Sequence, residues 1–179
     1  MSFRRIVTGF DRAGKSIFLS DSAAPRTTDF KHIPGFTTSL LWATRPDAQV
    51  SDARKDPAIS VTSWVPLPNG TTFMFITFPP DAVMASPGFD PEAAGNEYMD
   101  VLPGLAEKFE SDHPGMHTSD TVDYGVLIEG EIHLELDDGV MKKLAPRDVV
   151  IQNGTRHAWR NCSSQPATML FVLVGAQRT

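Results

Sequence analysis

Three side chains in the second half of the chain offer metal-binding or proton-transfer chemistry: His117, Asp123 and His157. Side chains alternate across a strand, so His117, Ser119, Thr121 and Asp123 share one face if that stretch is extended. On a later strand His157, Trp159 and Asn161 share a face in the same way. With both faces inward, two imidazoles and one carboxylate converge. That is the composition of the two-histidine, one-carboxylate triad, which leaves coordination positions open for O₂ or a chelating substrate. The same residues leave a second reading open, because a His–Asp pair can satisfy its own hydrogen bonds in a core that holds no ion. Against that reading stands the cost of desolvating three such groups in one small barrel without a charged partner.

Around the trio, Ser119 is a weak ligand while protonated and is expected to donate a hydrogen bond to substrate. Trp159, Phe73 and Phe75 are candidates for the wall of an apolar pocket, and Asn161 for a contact to substrate. His113 lies four residues before His117 and reaches the site if the chain bends back at Pro114-Gly115. It and Glu129 are the candidate accessory proton donors. His133 alternates with Glu131 and Glu135 and is expected to face solvent; Tyr124 points away from Asp123 by the same phase.

The elements that would carry these residues are mostly strands. Short strands are expected at 16–20, 37–43, 61–65 and 71–78, the last rich in β-branched and aromatic residues. After residue 121 strands follow at 124–128, 131–136, 140–144, 148–151, 157–161 and 167–174, parted by turn residues such as Asp137-Asp138-Gly139. Between them, 90–111 reads as two short helices. Asp90-Pro91 is a start signal, Tyr98, Val101, Leu102, Leu105 and Phe109 share a helical face, and Pro103 interrupts. Such an insertion is either a flap packed on the barrel or a lid over a site.

Two segments carry a family resemblance. The run from His117 through Asp123 to Gly130 is similar to the first cupin motif, G-x5-H-x-H-x3,4-E-x6-G, and Pro146 to Asn161 is similar to the second, G-x5-P-x-G-x2-H-x3-N. His117, Gly130, Gly154, His157 and Asn161 match at their spacing. The departures are Ser119 in the second-histidine slot, Asp123 for the glutamate, Gln152 for the proline, and Pro146 and Ser111 for the leading glycines. The resemblance implies an all-β, cupin-type jelly-roll barrel with a helical insertion at about 90–111. One domain is expected over 1–179, with N-terminal strands and loops over 1–65 and the barrel over 71–176. It also implies a divalent transition metal on His117, Asp123 and His157 (Fe, Mn, Zn or Ni, with Fe favoured).

Composition bounds the rest. The 179 residues suffice for one self-sufficient core, and a net charge of −6 without a basic cluster argues against nucleic acid. A single cysteine excludes an internal disulfide, and the longest apolar stretch, 167–176, is too short to span a bilayer. With no signal-peptide pattern at the N-terminus, a cytoplasmic protein is expected. The N-terminal strands exceed what one small barrel needs, and with the resemblance they point to a homodimer. The leading functional expectation is a metal-dependent enzyme acting on a small oxygen-bearing organic molecule, with non-haem Fe(II) dioxygenase chemistry ahead. A redox-neutral lyase (decarboxylase, dehydratase or isomerase) and a non-catalytic small-molecule binder are the alternatives.

Overall fold

The run Thr71–Phe78, dense in β-branched and aromatic residues, forms a strand near the middle of the main sheet, as its composition demands. In a computed structural model that describes residues 3–50 and 56–179, eleven strands fall in chain order: β1 Arg4–Phe10, β2 Ser16–Ala23, β3 Arg26–Asp29, β4 Thr37–Thr44, β5 Thr71–Phe78, β6 Thr121–Glu129, β7 Ile132–Glu135, β8 Met141–Leu144, β9 Val149–Asn153, β10 Ala158–Arg160 and β11 Ala167–Gly175. Met1, Ser2 and residues 51–55, within the span expected to hold N-terminal strands and loops, lie outside the described residues. The strands form a six-stranded sheet in the order β3-β4-β5-β11-β6-β9, a three-stranded sheet β10-β7-β8, and a separate β1-β2 hairpin. The protein is all-β with a short helical insertion.

The core lies between the two larger sheets. Leu40, Met74, Leu127 and Met169 from one join Ile132 and Leu144 from the other in a single cluster. Met169 and Leu127 are completely buried, and truncating such a side chain to alanine costs about 2–5 kcal/mol. β11 is paired on both edges, with β5 through Ala167↔Phe78 to Val174↔Thr71 and with β6 through Leu173↔Asp123. That register sets Asp123 on the strand nearest β11. Gly130 closes β6 at φ +84°, where an added Cβ would stand 2.4 Å from the Pro166 carbonyl oxygen.

The insertion follows its sequence signals. Helix α2, Pro91–Val101, starts at Asp90, whose carboxylate accepts from the amides of Glu92 and Ala93 at 3.1 and 3.0 Å. It stops before Pro103, and the second expected helix is a single 3-10 turn, Ala106–Lys108. A four-residue helix α1, Pro57–Ser60, stands earlier behind the same Asp-Pro signal at Asp56. None of the described helices is long and apolar enough to cross a membrane.

Two expectations change. Residues 61–65 are not a strand: Trp64 is buried at 1% exposure, its amide bonds to the Pro103 carbonyl, and Arg26 donates to the Val61 carbonyl at 2.6 Å. Its backbone groups find partners in loops and side chains rather than in a ladder. His133 does not face solvent freely either. It is half-buried on β7, and its Nδ1 is enclosed without a hydrogen-bond partner.

Candidate functional site

The inward phase of β6 is Thr121, Asp123, Gly125 and Leu127, all buried, while Tyr124 and Ile128 are exposed. The segment before it stays extended long enough to lay His117 directly against His157. Each histidine donates its amide to the other's carbonyl, at 2.9 and 3.0 Å, and the ring centroids are 4.2 Å apart. In both rings Nδ1 donates to the carbonyl two residues earlier, His117 to Gly115 at 3.1 Å and His157 to Thr155 at 2.9 Å. A carbonyl only accepts, so Nδ1 carries the proton and Nε2 is left as an acceptor in each ring.

Burial governs the charges. Desolvation lowers the His117 imidazole below its ordinary range, with the Gly115 carbonyl and Glu110 opposing. It takes His157 to about 4, helped by the neighbouring His117 and opposed by the Thr155 carbonyl. The Asp123 carboxyl moves the other way, up to about 6, because it is buried; a hydrogen bond from Thr121 acts against that rise. Its Oδ1 is enclosed with no hydrogen-bond partner. Ser119 and Thr121 share a hydrogen bond between hydroxyls at 2.7 Å.

Three arginines brace the chain segments that carry these groups. Arg156 grips both carboxylate oxygens of Glu110 at 2.7 Å and reaches Asp137 at 2.8 Å. Arg160 donates to the Pro114 carbonyl at 2.8 Å and pairs with Glu135. Arg178 ties the carbonyls of Ser119 and Gly154 together, each at 3.0 Å. Gly154 has φ +57°, and a Cβ there would lie 3.0 Å from the Ser119 carbonyl oxygen, so the close approach of the two motifs needs glycine.

The imidazoles and Asp123 border a cavity of about 690 Å³ walled mainly by apolar side chains. Among the residues expected at a site, His117, Ser119, Asp123, His157 and Trp159 line it. Phe73 and Phe75 do not: they are on the other face of β5, where Phe75 stacks on Phe3 at 4.2 Å between centroids. Asn161 is buried beneath the barrel wall, donating to the carbonyls of Phe78 and Gln165 and accepting from Ser163, which makes it a turn-holding group. Glu129 is exposed at the end of β6 and away from the cavity. His113 is exposed beside Glu110 and Asp112, outside the lining.

Several lining residues had no place in the sequence reading of the site. Met74, Ile76 and Phe78 come from the inward phase of β5, and Tyr98 from α2, where burial pushes its phenol well above the ordinary range. Phe109 packs 4.8 Å from His117 between ring centroids. Their apolar spacing was visible, but nothing in it told cavity wall from core.

The fit to a metal ion can be judged from the donor set. Two Nε2 atoms and a buried carboxylate oxygen are all acceptors, with no donor among them, and a cation is what such a set lacks. The spacing is loose: the ligand atoms of His117, Asp123 and His157 do not all fall within 4.8 Å of one another. Among the described residues that closeness is met by Glu110, Asp112 and His113, a surface group in which Glu110 is already held by Arg156. Asp is one methylene shorter than the glutamate usual at the Asp123 position, which accounts for a longer reach.

Comparison with known proteins shows what these residues are similar to. The model for the cupin domain matches residues 98–173. Oryzines biosynthesis cluster protein J of Aspergillus oryzae is 39% identical over 88 residues, 49% of this chain and 45% of that protein. Phomopsin biosynthesis cluster protein C' of Diaporthe leptostromiformis is 29% identical over 174 residues, 97% of this chain and 78% of that protein. The cupin-domain-containing oxidoreductase fogC of Aspergillus ruber is 39% identical over 79 residues, 42% of this chain and 36% of that protein. The chain thus spans less than half the length of two of these three relatives.

Proposed function

We propose that this chain, which belongs to the cupin superfamily, is an enzyme that transforms a small oxygen-bearing organic molecule in the barrel cavity with a divalent transition metal held by His117, His157 and Asp123. The observation that carries this reading is the set of inward acceptors without a donor: two Nε2 atoms fixed by carbonyl-bound Nδ1 groups, and the partnerless Oδ1 of Asp123. Histidine ligands of metals usually donate their other ring N–H to a carbonyl or carboxylate, the arrangement both imidazoles have. Asp123 serves as the third ligand, directly or through a water.

When bound, such a cation supplies Lewis acidity, open positions for O₂ and a template for substrate oxygens. The chain's own residues do the rest. The Gly115 and Thr155 carbonyls hold each imidazole in the tautomer that presents Nε2. Phe109 and Trp159 flank the two rings and keep water from them. The Ser119–Thr121 hydroxyl pair has a proton to donate to a substrate oxygen or to Asp123.

Oxidoreductase chemistry is the favoured reaction class, supported by the ligand composition and by similarity to the Aspergillus ruber protein named as an oxidoreductase. The lyase alternative loses support, because His113 and Glu129, its accessory proton donors, lie outside the cavity lining. Elemental analysis of protein purified with neither added metal nor chelator tests the reading. About one transition metal per chain is expected. A metal-free protein that still binds small molecules would make it a binding module instead.

A further inference from the structure

Ala94, Tyr98 and Leu102 follow one another at intervals of four along α2 and its C-terminal end, so they share one face, and all three line the cavity. Glu97 fixes the rotation of that face from outside: its two carboxylate oxygens accept from the amides of Lys31 and His32, each at 2.8 Å. The Tyr98 ring packs against Phe30, Phe36 and Phe109, with centroids 5.2, 5.3 and 5.5 Å away. Phe109 in turn lies 4.8 Å from His117, so a single ring links Tyr98 to the histidine pair.

A phenylalanine would pack against those rings in the same way, and the hydroxyl is what sets this residue apart. Other polar side chains of the wall are already engaged within the protein. Asp81 accepts from the Asn161 amide at 3.1 Å, Arg156 grips Glu110, Glu135 pairs with Arg160, and Ser119 is bonded to Thr121. The Tyr98 hydroxyl has no hydrogen-bond partner among the described residues. The side chain keeps part of its surface accessible, yet loss of hydration raises its phenol above the ordinary range, so that surface borders the cavity rather than bulk water. A desolvated hydroxyl left without a partner is unfavourable, and a bound molecule that offers an acceptor relieves it.

We propose that Tyr98 is a substrate-binding group, its phenol donating a hydrogen bond to an uncharged oxygen (a carbonyl, ether or alcohol) that the substrate carries apart from the oxygen engaged at His117 and His157. The substrate is then a molecule with two separated oxygen groups. This rests on the reading of the cavity as the substrate site and adds a second anchor to it. A carboxylate is a poor partner for this phenol, because three phenyl rings surround it and the charge of Glu97 bears on it.

The chain has two tyrosines, and the other, Tyr124, is 46% exposed and outside the cavity lining. Tyr124→Phe therefore leaves Tyr98 as the sole phenol, and its hydrogen bonding can be read from the tyrosine doublet of the Raman spectrum. The probes are 1,4-cyclohexanedione and its isostere without acceptors, 1,4-dimethylenecyclohexane, with binding followed by calorimetry and metal content measured on the same sample. The dione is expected to move the doublet to that of a donating phenol, and the diene to leave it in place. Tyr98→Phe keeps the ring contacts and is expected to weaken the dione about fivefold, the worth of one hydrogen bond between uncharged groups, with the diene held within twofold. Absence of dione binding, a dione that binds without moving the doublet, or an equal loss for both probes in Tyr98→Phe would each overturn the proposal. An unmoved doublet in protein that carries one metal per chain sinks this proposal alone. A moved doublet in protein that carries none upholds it and sinks the metal reading alone.

Discussion

His117 and His157 face each other across a pair of backbone hydrogen bonds of 2.9 and 3.0 Å, although forty residues separate them in the chain. The rings are placed by the backbone before any side chain chooses a rotamer. Each ring is then locked by its own carbonyl two residues back.

Removing either imidazole should therefore leave the fold in place and remove the metal. His117→Ala and His157→Ala are each expected to bring metal occupancy to a small fraction of the parent's and to abolish turnover, with a cooperative thermal transition retained. His133→Ala should leave metal content unchanged, because β7 holds that ring outside the cavity lining. Parent-like occupancy in both site variants would place the metal elsewhere.

Asp123→Asn separates charge from shape, and pH reveals its effect. In metal-free protein the folded carboxyl titrates at about 6 against an ordinary 3.8. Stability linked to Asp123 is full below the lower value and is lost as pH rises through the upper one, on the order of 3 kcal/mol. His157 runs the other way: it is lowered to about 4 from 6.5, so its contribution is present above 6.5 and is lost as pH falls toward 4. The two slopes oppose each other between about 4 and 6. Asparagine at 123 removes one of them, so the chelator-treated variant should be more stable than the parent above pH 6 and should weaken more steeply on acidification. Urea melts at several pH values would show it; parallel curves for variant and parent would refute the assignment. The same variant should bind metal far more weakly.

Arg156→Ala tests the bracing of the segment before His117. Without the grip on Glu110, amides at Met116 and His117 are expected to exchange faster with deuterium, while the global melting temperature changes little, since the arginine sits at the surface. Unchanged protection there would mean that Arg160 alone suffices.

The β1-β2 hairpin shares no ladder with either larger sheet, although Arg5 ties it to the Leu41 carbonyl of β4, and it exposes Phe18 at 75%, Ile6 at 50% and Phe10 at 44%. Apolar exposure of that kind marks an association surface, and a homodimer through this hairpin is expected. Sedimentation at micromolar concentration should give twice the chain mass, with Phe18→Asp returning it to the monomer. A monomeric parent would reject the pairing.

Much of the barrel is readable from alternation and turn chemistry after residue 121, and Gly154 with His157 announces the second half of the site. The errors have physical causes. Strand β5 is apolar on both faces, so its phase carries no signal: Phe73 and Phe75 suit an inward position in sequence as well as Met74, Ile76 and Phe78, which are the ones that line the cavity. Asn161 sits at a site position of the motif, but its amide is spent on three backbone and hydroxyl partners of a turn that periodicity does not reveal. Trp64 owes its place to Pro103 and Arg26, distant in sequence, and a local reading of 61–65 as strand had no access to them.

The place of β11 bears on how the protein is made. In the six-stranded sheet β5 and β6 touch only through it, so the interior of that sheet stays incomplete until residues 167–175 have been synthesised. A ribosome that has released β5 and β6 holds two strands with open edges and no bridge between them. Contact order is correspondingly high, and folding should wait for the arrival of the bridging strand rather than proceed segment by segment during translation. In that interval the unpaired edges are exposed to other chains, and a truncation anywhere before residue 167 should yield an aggregating product instead of a smaller barrel.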